Sequence, residues 1–211
     1  MASWYFANPI ARTLATIGVS RASPRLLTGL EAIPKIANQA PIHSQWSMPV
    51  DFVSIFRALN ELDARYVLVG GLAVILHGVD RLTADVDLTV DLAPEQSSRA
   101  ISALQMLGLK PNAPLQPQDF TVESIRESWR IDKGMTVFSF WDPTHLRPSV
   151  DLFIRNPIPF PELWAESVTV ELDAVPIRIA SIAHLIRLKE ISNRPRDVAD
   201  IALLRELLGS P

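Results

Sequence analysis

The sequence contains no cysteine, which removes disulfide frameworks, thiolate zinc sites and cysteine nucleophiles at once. It has no excess of basic charge either. With 20 Lys and Arg against 23 Asp and Glu, the formal charge is -3, and coating nucleic acid by charge alone is excluded, although a local basic site is not. No stretch approaches the ~18 uninterrupted apolar residues of a membrane helix, so no membrane partner is expected and a cytoplasmic protein fits. Acids are missing from the start of the chain, where none precedes Glu31. Pro9, Pro24, Pro34 and Pro41 interrupt every apolar run there, and Arg12, Arg21 and Arg25 lie among serines and threonines. That composition resembles an organelle transit peptide and equally fits translated sequence ahead of a start at Met48, the plainer reading. On either reading residues 1–47 are expected to be a poorly packed extension without chemistry, ahead of a single domain over 48–211.

From Pro49 the pattern becomes regular. Phe52, Phe56, Leu59 and Leu62 recur at helical spacing after Asp51, which predicts an amphipathic helix. Tyr66 to Val69 reads as a buried strand that ends at Gly70-Gly71, and Leu72 to His77 as a short helix stopped by Gly78. Asp85 to Leu92 alternates strictly: Val86, Leu88, Val90 and Leu92 fall on one face, and Asp85, Asp87, Thr89 and Asp91 on the other, a half-buried strand with an acidic outer face. Pro94 to Leu107 is a helix with good start and stop signals. Lys110 to Ile131, rich in Pro and Gln, receives no assignment. Met135 to Trp141 and Ser149 to Ile154 are expected strands, and Val168 to Leu172 with Val175 to Ile179 form a hairpin around Asp173-Ala174. Ser181 caps a helix to about Ile191, and Arg196 to Leu208 is the last. This mixture implies an α/β or α+β domain, a small mixed sheet flanked by helices.

The chemistry is expected on the acidic strand. Asp85 and Asp87 stand two apart, so both side chains leave the same face and can converge. Carboxylates about 4 Å apart repel by roughly 4 kcal/mol at an effective dielectric near 20, and a magnesium or manganese ion, which takes oxygen ligands, relieves that repulsion. An isolated Asp-x-Asp is more often a solvated edge. Two neighbours change the balance here. Gly70-Gly71 follows a buried strand and opens a helix, where bare backbone N–H groups can hold a phosphate. Asp151 sits in the otherwise apolar run Val150-Asp151-Leu152-Phe153-Ile154, where a charge is costly unless paired or bound to metal. Three carboxylates can hold the two ions of a phosphoryl or nucleotidyl displacement.

The run Gly70-Gly71, His77-Gly78, Arg81, Thr83, Asp85 and Asp87, with its spacing, resembles the signature of the DNA polymerase β-type nucleotidyltransferase superfamily, in particular the minimal bacterial group that includes AbiEii-like abortive-infection and toxin proteins. The resemblance covers roughly residues 50 to 208. It implies a nucleotidyltransferase fold with C-terminal helices, Gly70 and Gly71 cradling the triphosphate of an NTP, Asp85 and Asp87 binding both metals, and Asp151 binding the catalytic metal and aligning an acceptor hydroxyl. Gly70-Gly71 departs from the Gly-Ser of many members, and the region after Asp151 is short for a separate acceptor domain. The acceptor therefore stays open between a tRNA end, a protein and a small molecule.

Lys189 shares a helical stripe with Ile182, Leu185 and Ile186, and either snorkels from a buried face or, as the resemblance suggests, faces the nucleotide. Arg81 can contact phosphate or pair with Asp80 or Asp85. Asp197 and Asp200 are expected to offset the helix dipole and pair with Arg194 or Lys189. His77 is expected to be structural. Two other readings stand beside the enzyme: a catalytically silent nucleotide- or partner-binding module of a toxin-antitoxin pair, and an antibiotic-modifying nucleotidyltransferase, for which a larger C-terminal acceptor pocket is expected.

Overall fold

A computed structural model describes residues 51–209; the expected extension over 1–47 lies outside the described residues. Helix α1 (Val53–Glu61) buries Ile55, Phe56 and Leu59 on one face, with Phe52 packed beneath its first turn, and Asp51 Oδ1 accepts the Ser54 N–H at 2.9 Å. The chain continues through β1 (Tyr66–Val69), α2 (Gly70–Leu76), β2 (Asp85–Val90) and α3 (Pro94–Met106). Then follow β3 (Lys110–Pro111), a 3-10 turn (Pro117–Thr121), α4 (Glu123–Lys133), β4 (Val137–Trp141) and β5 (Ser149–Phe153). The last elements are α5 (Phe160–Ala165), β6 (Val168–Leu172), β7 (Val175–Ile179), α6 (Ile182–Ser192) and α7 (Pro195–Gly209).

The strands form one mixed sheet of order β3-β4-β5-β2-β1-β7-β6, seven strands among the described residues. Its central strand β2 pairs antiparallel with β1 and parallel with β5. Cross-strand partners share a face. The row Leu68, Leu88, Leu152 and Phe138 therefore faces one way, and all four are fully buried. Phe120 and Trp129, from the 3-10 turn and α4, close over Phe138 at ring distances of 5.9 and 5.0 Å.

Three expectations are corrected. Strand β2 stops at Val90, and Thr89 on its supposed outer face is fully buried, with its hydroxyl donating to Val67 O at 3.0 Å. A central strand covered on both sides needs its polar side chains satisfied internally, and threonine does so against the neighbouring backbone. Helix α2 starts at Gly70, two residues earlier than its apolar run suggests. The unassigned stretch holds β3, the 3-10 turn and α4; the buried side of α4 is Trp129 and Arg126, so its apolar periodicity is faint.

No helix among the described residues is long and apolar enough to cross a membrane.

Candidate functional site

Strand register builds the site. Val69 lies opposite Asp87, Asp87 opposite Asp151, and Asp151 opposite Ser139, so one cross-strand row carries two acids and a hydroxyl on the face away from the Leu88 row. Asp85, two residues before Asp87, projects from that same face. The three aspartates each offer a carboxylate oxygen within 4.8 Å of the others, a group able to hold a metal ion. Asp85 Oδ1 accepts the Thr83 hydroxyl at 2.7 Å, and Ser139 donates to Asp151.

The electrostatics follow from this crowding. Burial, and then the charges of Asp85 and Asp151, push the Asp87 carboxyl up to about 6, against the opposing pull of the Gly71 amide and the Arg194 charge. Asp151 is also raised, first by burial and then by Asp85, with Ser139 and Arg194 acting the other way. Three mutually repelling carboxylates with too little positive charge around them form a donor set suited to a hard divalent cation.

The glycine pair is needed for steric reasons as well. Gly70 has φ +65°, and a Cβ there would lie 1.9 Å from Asp87 Oδ2; a Cβ on Gly71 would lie 2.5 Å from Thr83 Oγ1. Each glycine thus lets a site side chain press against bare backbone. Gly70→Ala is expected to cost about 1–3 kcal/mol through the left-handed backbone alone, and to drive the Asp87 carboxylate out of place. Thermal melts with and without Mn2+ should show a destabilised protein with little metal response; a melt like the wild type's in both conditions would rule the steric argument out.

No family model matches the chain, and no curated protein matches it. Solved structures do resemble it. The lincosamide antibiotic adenylyltransferase LnuA, lincomycin-bound, shares 16% identity over 75% of this chain and 99% of its own, at a TM-score of 0.48. The antibiotic-resistance factor ANT(2'')-Ia shares 16% over 74% and 80%, at 0.48. An antigenic nucleotidyltransferase-like protein from Paracoccidioides brasiliensis shares 18% over 74% of each chain, at 0.47.

The structure gathers Asp85, Asp87 and Asp151 together, with Gly70 and Gly71 against them, and places the two basic candidates differently. Arg81 lies beside Gly71, but its Nη1 pairs with Asp200, and its Nε and Nη2 reach Leu82 O at 3.3 Å each, so neither Asp80 nor Asp85 is its partner. Lys189 is buried, 6% exposed, and its ammonium pairs with both Asp197 and Asp200, which excludes snorkelling. Asp197 and Asp200 pair with Lys189 as expected; Arg194 meets Asp197 through its backbone, its N–H donating to Asp197 Oδ2 and its carbonyl accepting the Asp197 N–H, at 2.9 Å each. His77 Nε2 contacts Ala180 O at 2.8 Å, the structural role expected of it. Ser139, Thr83 and Arg194 are the site neighbours that the sequence reading missed. Thr83 stood in the quoted signature two residues before Asp85, while Ser139 is recognisable only once β4 and β5 are in register.

A cavity of about 280 Å³ bounded by Asn60, Tyr66, Trp164, Thr169 and Arg178 contains none of the three acids. Arg178 and Arg65 stack on Trp164 there, 3.9 and 4.7 Å from its ring centre, and fix α5 to the sheet.

Asp87 gives the site a pH signature. Its carboxyl is raised above the unfolded value of 3.8, so without metal it contributes stability that is complete below that value and is lost as pH rises through about 6. A metal ion reverses the trend, since it binds the ionised form and competes with the proton. Stabilisation by Mn2+ is therefore expected to be full at pH 7.5 and to fade as pH drops through about 6. Melts at matched pH with Mn2+ or EDTA measure it, and a metal response equal at pH 5 and 7.5 would contradict the assignment.

Proposed function

We propose that this chain is a metal-dependent nucleotidyltransferase, moving a nucleoside monophosphate from an NTP to an acceptor hydroxyl with pyrophosphate leaving. The observation that carries the reading is the register match of Asp87 with Asp151, which brings the third acid to the Asp85-x-Asp87 pair beside the Gly70-Gly71 backbone. Asp85, Asp87 and Asp151 fit Mg2+ or Mn2+. When bound, the metal neutralises charge on the reacting phosphates and makes the acceptor hydroxyl more acidic.

The chain's own residues do the rest. Thr83 holds Asp85, and Ser139 holds Asp151, so two of the three carboxylates are oriented by hydroxyl donors. Asp151, on β5 and one strand further from the glycines than Asp85 and Asp87, orients the acceptor hydroxyl and, with its raised carboxyl, can take its proton. Gly70 and Gly71 leave an unobstructed backbone wall for the triphosphate. ATP is the donor to try first. The family resemblance supports a cytoplasmic toxin-antitoxin or phage-defence setting, with a tRNA end, a protein or a small molecule as acceptor.

Incubation of the protein with each labelled NTP, Mg2+ or Mn2+, and total tRNA or cell extract tests the reading. Label should pass to an acceptor with the wild type and not with Asp87→Ala. NTP binding with no transfer to any acceptor would instead mark a silent binding module.

A further inference from the structure

Two basic residues near the glycine turn are already engaged, and a third is not. Arg81 and Lys189 both point their charges into Asp200, and Lys189 also into Asp197, forming a cluster of two cations and two anions in which all but the half-buried Arg81 are buried. Lys189 is not available to a phosphate without leaving buried Asp197 without its cation, and Arg81 has Nη1 on Asp200 and its other nitrogens on Leu82 O. Arg194 is exposed, and its guanidinium has no hydrogen-bond or ion-pair partner among the described residues. Its charge nevertheless acts on both Asp87 and Asp151.

The corner between α6 and α7 fixes where Arg194 stands. Asn193 takes a left-handed turn, φ 46°, and donates its N–H to Lys189 O at 2.8 Å. The Arg194 N–H donates to Asp197 Oδ2, the same oxygen that accepts the Ser192 hydroxyl. Pro195 then starts α7 with its φ already set. Asp200, one turn on, ties this corner to Arg81, whose Nη2 lies 3.1 Å from where a Gly71 Cβ would be. A continuous chain of contacts therefore runs from the glycine turn to the residue that carries the unpaired cation.

We infer that Arg194 is the group that grips the β- and γ-phosphates of the nucleotide, and that Arg81, Lys189, Asp197 and Asp200 are positioning residues that mount it across the glycine turn from Asp87. The inference rests on the nucleotidyl-transfer reading and changes its assignment of roles. A guanidinium presents a planar fork that matches phosphate oxygens, and it keeps its charge at every working pH. The phosphates it holds are those that leave as pyrophosphate, so it also offsets charge that grows as the bond to them breaks.

The test is calorimetric titration of ATP and of AMP into the wild type and Arg194→Ala, both with Mn2+. Arg194→Ala is expected to weaken ATP by about 10- to 100-fold, the range for hydrogen bonds to charged groups, while AMP changes less than about 2-fold and stabilisation by Mn2+ alone is kept. Arg194→Lys should recover part of the loss. Unchanged ATP affinity in Arg194→Ala, or equal losses of ATP and AMP, would overturn the inference while leaving the nucleotidyl-transfer reading intact. A wild type that binds Mn2+ but no NTP would overturn both.

Discussion

Asp87→Asn is expected to abolish transfer and, in EDTA, to raise the melting temperature. The two effects have one cause. In the metal-free protein the Asp87 carboxyl is pushed up to about 6 by burial and by Asp85 and Asp151, which means that its charge opposes folding at neutral pH. Asparagine keeps the shape and removes the charge. A rise from 3.8 to about 6 corresponds to a gain on the order of 3 kcal/mol at pH 7.5, or about 6–12 °C at the usual slope for a domain of this size. With saturating Mn2+ the order reverses. The wild type gains about 4.1 kcal/mol when the ion is at about a thousand times its dissociation constant, and the variant, short of a central ligand, gains little. Loss of several kcal/mol of transition-state stabilisation lowers the rate by about 1,000-fold or more. Paired melts and a label-transfer assay measure both; a variant less stable than the wild type in EDTA would show that Asp87 is an ordinary structural acid.

Lys189→Met has the largest expected effect on stability. Its ammonium lies between Asp197 and Asp200, all three side chains less than a tenth exposed, so methionine fills the space and leaves two neighbouring acids without their shared cation. Breaking a buried pair in this way costs about 3–5 kcal/mol, a fall of roughly 10 °C. Arg205→Ala is the matched control: its pairing with Glu190 is 63% and 51% exposed, and it should cost no more than about 1 kcal/mol. Thermal unfolding compares the two directly, and a Lys189→Met loss as small as that of Arg205→Ala would mean that the cluster is solvated.

The acid pair, the glycine turn and most strands were legible because their signals are local. Asp85 and Asp87 share a face through the two-residue period of a strand, and the Asp173-Ala174 hairpin is fixed by neighbours in the chain. Asp151 was visible as a charge misplaced in an apolar run, although only the parallel register of β2 and β5 makes it the partner of Asp87. The errors lie where partners are remote. Arg81 and Asp200 are 119 residues apart, and no spacing rule joins them. Thr89 followed the polar half of an alternation that ceases to mean exposure once a strand is central. Helix α4 hid because an arginine and a tryptophan make its buried side.

The central claim is that residues 85, 87 and 151 act as one metal-binding unit. Titration of Mn2+ into the wild type and into Asp85→Asn, Asp87→Asn and Asp151→Asn, each checked for an intact melt, addresses it most directly. Binding should be clear in the wild type and weakened at least tenfold, about 1.4 kcal/mol, in every variant. Wild-type affinity in Asp151→Asn would contradict the account, because it would separate the third acid from the other two.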